Sequence, residues 1–225
     1  MTEELEDAPA ALRPRQGRIR AVLFDFGGVL TTSPFEAFAR YEREHGLPPG
    51  FIRSLNAQNH HDNAWARLER NEVSIPQFVE LFEAESAGAG HVVDGASVLA
   101  LLGGELRPRM VRAVERCRRH YLVGLLTNNF LSGEAESHPG GGTASVLSLF
   151  HEVVESSKVG VRKPEARFFE IACERLGIEA AEAVFLDDLG VNLKPARAMG
   201  MTTIKVVSED QALSELEKVV GLRLR

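Results

Sequence analysis

Short apolar runs separated by helical stripes set the rhythm of this chain. Four runs rich in branched residues fall at Ile19–Phe24, Tyr121–Leu126, Ala183–Leu186 and Thr203–Val207, with a weaker one at Glu152–Glu155. Runs of this length, apolar on both faces, suit strands buried in a parallel sheet. Between several of them the pattern changes to helical spacing. The stretch Arg109–Arg119 puts Met110, Val111, Val114 and Cys117 on one stripe. Ala166–Leu176 does the same with Phe169, Ile171, Ala172 and Leu176, and Gly177 stands where a C-cap belongs. Strands alternating with helices predict a doubly wound α/β sheet. Ligands of such sheets bind beyond the carboxyl ends of the strands.

The alternation is interrupted once. Residues 34–104 hold no good strand, and helices are predicted at Phe35–His45, Asn63–Arg70 and Ile75–Glu85. Ser74 followed by Gln77 has capping-box spacing at the start of the last. This segment reads as an inserted helical cap, over a core made of 18–33 and 105–225. Residues 1–17 are polar, contain Pro9 and Pro14, and are expected to be a mobile tail. The stretch Ser132–Thr143, with Pro139 and three consecutive glycines, reads as a flexible loop without a phosphate-binding context.

Composition narrows the function classes. A net charge of -6 argues against general nucleic-acid binding, which needs basic surfaces that release counterions. The one compact basic group, Arg13, Arg15, Arg18 and Arg20, reads as a solvated stretch before the first strand. Cys117 and Cys173 lie in helical patterns and are expected to be buried free thiols, too few for a metal quartet. The acidic start Met1–Asp7 lacks the apolar core of a secretory signal. No apolar run approaches the roughly 20 residues needed to span a bilayer. A soluble, cytoplasmic protein without a membrane or nucleic-acid partner is the expectation.

The strand ends carry the chemistry. The first run ends in Asp25-Phe26-Gly27-Gly28, a carboxylate that can serve as nucleophile or metal ligand, or stand as an ordinary turn aspartate. Thr127-Asn128 follows the second run and can hold phosphate oxygens or cap the next segment. Lys163 follows the third, a point charge suited to phosphate or a surface lysine. The fourth ends in Asp187-Asp188, with Asn192 shortly after. Adjacent carboxylates on a buried strand repel unless a hard cation or hydrogen bonds compensate, and a helix cap is the alternative. Their order, one at the end of each successive strand, supplies a nucleophile, an oxygen-binding hydroxyl, a cation and a metal site. Those are the parts of a phosphoryl-transfer centre.

With Asp25, Thr127, Lys163 and Asp187-Asp188 in this order, the chain after residue 18 resembles the haloacid-dehalogenase superfamily. The resemblance is greatest to the branch that includes the phosphatase-like N-terminal domain of soluble epoxide hydrolase. It rests on three stretches, Leu126–Asn129, Val159–Glu165 and Val184–Arg197. It implies a haloacid-dehalogenase-like (Rossmann-like) core and a magnesium-dependent hydrolase of small phosphate monoesters. By the same resemblance, Asp25 is the nucleophile, forming an aspartyl-phosphate. Mg2+ is held by Asp25, the carbonyl of Gly27 and Asp188, with Asp187 supporting that shell. Thr127, the backbone of Asn128 and Lys163 hold the phosphoryl group, and Asn192 positions Lys163 or the metal-bound waters.

One position departs from the pattern. Phosphatases of this superfamily usually carry a second aspartate, the general acid and base, two residues after the nucleophile. Here that residue is Gly27. Acid–base assistance is worth ~10²–10⁴-fold, so a slow or specialised phosphatase is expected, with His60, His61 and Asp62 as possible replacements. Two alternatives remain: a 2-haloacid dehalogenase, which needs no acid to expel halide, and a non-catalytic module that binds phosphometabolites. The substrate and the oligomeric state are not readable. Trp65, Phe78 and Phe82 fit either the interior of the cap or a substrate wall.

Overall fold

The computed structural model describes residues 19–130 and 143–225. The expected tail, Arg13, Arg15 and Arg18, and nearly all of the glycine-rich stretch at 132–143 lie outside the described residues. Five strands, β1 (Ala21–Phe24), β2 (Leu122–Thr127), β3 (Glu152–Glu155), β4 (Ala183–Asp187) and β5 (Thr202–Lys205), form one parallel sheet in the order β3-β2-β1-β4-β5. Eleven α-helices are described, and five of them follow β1 directly: α1 (Phe35–Glu44), α2 (Phe51–Ala57), α3 (Ala64–Glu69), α4 (Ile75–Gly88) and α5 (Gly95–Ala100). The rest are α6 (Pro108–Arg118), α7 (Thr143–Leu147), α8 (Ser156–Val159), α9 (Ala166–Leu176), α10 (Gly190–Ala198) and α11 (Glu209–Val220).

The two-residue period of the strands divides the core. Val22 and Phe24 of β1, with Val123, Leu125, Val184 and Leu186, pack on Met110, Val114 and Cys117 of α6 and Leu213 and Leu216 of α11. Ala21 and Leu23 face the other way, with Leu126, Val154 and Phe185, onto Phe168, Phe169 and Ala172 of α9 and Leu193 of α10. Both faces of the sheet are therefore covered, which is the doubly wound arrangement. Wholly buried side chains such as Phe24, Leu23 and Phe185 each contribute roughly 1.5–3 kcal/mol. Cys117 and Cys173 are buried free thiols, and burial pushes them up to about 12 and about 11.

The helical stripes differ in detail from the pattern reading. On α6 Ala113 is buried while Val111 is only partly so, and on α9 the buried set is Phe168, Phe169, Ala172 and Cys173. Gly177 does close α9 in a left-handed conformation.

Helices α1–α5 form a separate apolar cluster built on Phe38, Ile52, Leu55, Trp65, Leu68, Phe78, Phe82 and Val98, with Phe130 packed against it. Phe78 and Phe82 stack inside this cluster, and Trp65 meets both edge to face, its ring centroid 4.8 Å from that of Phe78. Ser74 and Gln77 form the expected capping box. Two helices of this group, α2 and α5, had no counterpart in the sequence reading. The first is held by a buried carboxylate: Glu42 accepts hydrogen bonds from the backbone N–H groups of Gly50 at 2.7 Å and Ile52 at 2.9 Å.

Two strands of connecting chain lead into and out of these helices and pair with each other. Thr31 and Leu106 form an antiparallel bridge, Thr32 N donates to Glu105 O at 2.9 Å, and Arg107 N donates to Leu30 O at 2.8 Å. Gly104 sits where a Cβ would lie 2.6 Å from Thr32 O, so only glycine permits this approach without movement.

Candidate active site

The order of the strands reverses between β1 and β4, and the carboxyl ends of these two strands flank the crevice where such sheets bind ligands. Register decides what lies there. Phe24 is level with Leu125 on one side and Leu186 on the other. Asp25, one residue on, is thus level with Leu126 and Asp187, and its N–H donates to Leu186 O at 2.9 Å.

Lys163 crosses beneath these strand ends. Its Nζ lies 2.7 Å from Asp25 Oδ1, 2.9 Å from Asp187 Oδ2 and 2.8 Å from the carbonyl of Leu126. An ammonium has three protons, and these three acceptors take them all. The side chain is 1 % exposed. Burial opposes its charge, but Asp187 and Asp25 outweigh that and hold its pKa above the ordinary lysine value.

Asp187 is wholly buried and fully engaged. It accepts from Lys163, from Leu189 N at 2.7 Å, and from Asn192 Nδ2 at 3.1 and 3.0 Å to its two oxygens. Asn192 therefore acts on Lys163 through Asp187, and its amide is spent there. Asp188 points the other way, toward Gly28. A Cβ at Gly28 would lie 2.3 Å from Asp188 Oδ2, and Gly28 has φ +72°, so this glycine is required twice over. Arg107 Nη1 donates to the carbonyl of Gly28 at 2.8 Å, placing a cation near Asp188.

The carboxylates of Asp25, Asp187 and Asp188 each offer an oxygen within 4.8 Å of the others. Packing three anions around one lysine has a cost that shows in their acidity. Burial, with repulsion from Asp187 and Asp188, pushes Asp25 up to about 8 against the pull of Lys163. Burial and Asp187 raise Asp188 to about 6. A hard divalent cation fits this donor set: it is oxygen-only, close-spaced and short of positive charge.

The remaining predicted residues take the following places. Thr127 closes β2, half-buried and level with Glu155. Asn128 clasps the peptide of Lys163: Lys163 N donates to its Oδ1 at 2.9 Å, and its Nδ2 donates to Lys163 O at 3.0 Å. Gly27 has open space where a side chain would begin, with no atom within 4 Å of an added Cβ. Asp62 is held by Arg67 through bonds of 2.9 and 3.0 Å that keep its carboxyl below the usual range. The His60 and His61 rings lie 3.9 Å apart on the surface.

Sequence reasoning missed Glu69, Arg107, the carbonyl of Leu126 and the part played by Arg162. Only Arg162 left a signal, its place beside Lys163.

A family profile described as haloacid dehalogenase-like hydrolase matches residues 19–200. Among curated proteins, mouse acyl-CoA dehydrogenase family member 10 is 36% identical over 211 residues, 91% of this chain and 19% of that protein. Pig bifunctional epoxide hydrolase 2 is 33% identical over 223 residues, 92% of this chain and 40% of that protein. The chain thus spans less than half the length of these two. Phosphatase MT3486 of Mycobacterium tuberculosis is 29% identical over 81% of this chain and 85% of its own. Two solved structures share the fold at 19% identity. One is a Bacteroides thetaiotaomicron enzyme in complex with magnesium and inorganic phosphate, TM-score 0.57, covering 85% of this chain and 96% of its own. The other is a dehalogenase with an intermediate complex, TM-score 0.63, covering 91% and 98%. By the extent of the profile match, and by 36% and 33% identity over 91% and 92% of its length, the chain belongs to the haloacid dehalogenase-like hydrolases.

Proposed function

We propose that this chain is a phosphatase that hydrolyses small phosphate monoesters through an aspartyl-phosphate on Asp25, with Mg2+ as its cofactor and helices α1–α5 as a cap. The observation that carries the reading is the ion cluster of Lys163 with Asp25 and Asp187, beside Asp188, at the switch point of the sheet. Phosphatases among the relatives and a structural neighbour holding magnesium and phosphate support it.

In this reading Asp25, Asp188 and the carbonyl of Gly27 hold Mg2+. The ion supplies positive charge that favours the ionised nucleophile and offsets the charge on phosphate. Asp25 attacks phosphorus, and the bond from phosphorus to the ester oxygen breaks with its electron pair on the departing alcohol. Lys163 shifts its proton contact from Asp25 to the phosphoryl oxygens, with Thr127 and the Asn128 backbone beside it. Asp187 and Asn192 keep Lys163 charged and in place. Water then displaces Asp25 from phosphorus, releasing inorganic phosphate and restoring the carboxylate.

Gly27 cannot protonate the leaving group, so the departing oxygen must be stable as an anion or take its proton from water. Aryl phosphates should therefore turn over faster than alkyl phosphates by on the order of 10²-fold or more. The test is phosphate release from a broad phosphomonoester panel with Mg2+, with Asp25→Asn as the blank and chloroacetate as a separate arm. Equal, fast turnover of both ester types would mean that another group supplies the proton. Mg2+-independent release of chloride would favour the dehalogenase reading. Phosphate binding with neither turnover nor labelling of Asp25 would leave a binding module.

A further inference from the structure

The peptide carrying Lys163 is tied to α3 and the loop before it, and the ties converge on one carboxylate. Glu69, the last residue of α3, accepts a hydrogen bond from Asn128 Nδ2 at 3.0 Å through Oε2. The same oxygen accepts from Arg162 Nε. Asn128 in turn clasps both the N–H and the carbonyl of Lys163. Arg162, the preceding residue, also reaches back to the carbonyl of His60 at 2.9 Å. Arg70 lies 3.7 Å from Glu165, a looser contact two residues beyond Lys163.

The amide of Asn128 has two protons, and the structure uses one on Lys163 and the other on Glu69. With both engaged, its Oδ1 is held toward the Lys163 N–H. Glu69 is mostly buried, its side chain 16 % exposed, and it faces a guanidinium and an amide rather than water. Hydrogen bonds to a charged group in such surroundings are the stronger kind, and losing one leaves its partners unsatisfied.

We propose that Glu69 is a positioning residue. It fixes the Asn128–Lys163 pair from the helical insertion, so that the phosphate-holding side of the site is complete only while α3 is seated on the core. This rests on the phosphatase reading for its effect on rate, but the coupling itself does not.

The experiment compares the wild-type chain with Glu69→Ala, Glu69→Gln and Arg70→Ala, by two readouts. The first is steady-state turnover of p-nitrophenyl phosphate with Mg2+. The second is backbone hydrogen exchange of the segment 159–165, measured without substrate. Glu69→Ala is expected to lower kcat by roughly 10-fold or more and to speed exchange at 159–165. Glu69→Gln, which keeps an acceptor oxygen, should recover most of both. Arg70→Ala, which removes the Glu72 ion pair and the looser Glu165 contact but leaves Asn128 and Arg162 on Glu69, should leave both near wild type. Equal effects of Glu69→Ala and Arg70→Ala would reduce Glu69 to a docking contact and overturn the proposal, as would unchanged exchange in Glu69→Ala. A wild-type chain inert toward phosphate esters would sink the phosphatase reading while the exchange readout still decides the role of Glu69.

Discussion

Lys163 has no spare proton in this structure, since Asp25, Asp187 and Leu126 occupy all three. Replacing it by methionine would leave two buried carboxylates facing each other without a cation. Breaking such a cluster costs ~3–5 kcal/mol. Lys163→Met is therefore expected to lower the melting temperature by several degrees and to abolish turnover, read by thermal unfolding and phosphate release. Two positions after Asp25, the opposite experiment is possible. Gly27 has unobstructed space and no left-handed φ. Gly27→Asp should fold normally and raise turnover of alkyl phosphates by on the order of 10²-fold. Steady-state rates on matched alkyl and aryl esters check it, and a variant that improves neither would remove the leaving-group explanation. Gly28 allows no such change. Alanine there would collide with Asp188, and Gly28→Ala should weaken Mg2+ binding in calorimetry while Gly27→Ala does not.

Among the elements, α3 ties helices α1–α5 to the strand ends through Glu69, which accepts from Asn128 and Arg162. Its start is set by Asn63, buried, whose oxygen accepts from Ala66 N at 2.9 Å and whose amide donates to the carbonyls of Asn56 at 2.9 Å and Gln58 at 3.0 Å. Six residues make a helix too short to stand alone, so its existence depends on this cap and on packing. Asn63→Ala removes three bonds and should cost about 1–2 kcal/mol. Because Glu69 sits at the far end of the same helix, the variant should also raise KM for phosphate esters. Denaturant unfolding and steady-state kinetics would measure the two effects separately.

For the whole molecule, the carboxylate cluster couples folding to pH and, in the proposed function, to Mg2+. Asp25 is raised from 3.8 to about 8 by burial and its acidic neighbours. The folded chain therefore holds a proton there over a range in which the unfolded chain does not. That stabilisation is complete below the unfolded value and is lost as pH rises toward about 8. Asp25→Asn carries no such proton. In metal-free protein, its melting temperature should gain on the wild type as pH rises from about 5 to about 8. Added Mg2+ should narrow the gap by stabilising the wild type more. A gap independent of pH would mean that Asp25 is ionised throughout. Among the described residues no helix is long and apolar enough to cross a membrane.

Much of this was legible in the chain itself, and the reason is local. The strands announce themselves because both faces are buried, so Ala183–Asp187 reads as an unbroken apolar run ended by the carboxylate of Asp187. The ends slipped by a residue or two, as at β1, where pairing begins at Ala21 and not at Ile19. Capping at Ser74 and Gly177 depends on neighbours a few residues apart, and so it too could be read. Helices α2 and α5, of seven and six residues, are too short for a helical period to show.

The sequence alone determined the alternation of elements, the family and the residue types at each strand end. Tertiary structure decided their company. Only the register of β1 between β2 and β4 makes Asp25 level with Leu126 and Asp187, and only the fold brings Lys163 beneath all three. Glu69 stands 59 residues from Asn128 and 93 from Arg162 along the chain. No local pattern encodes a contact between groups so far apart, because the free energy that joins them comes from packing whole elements together.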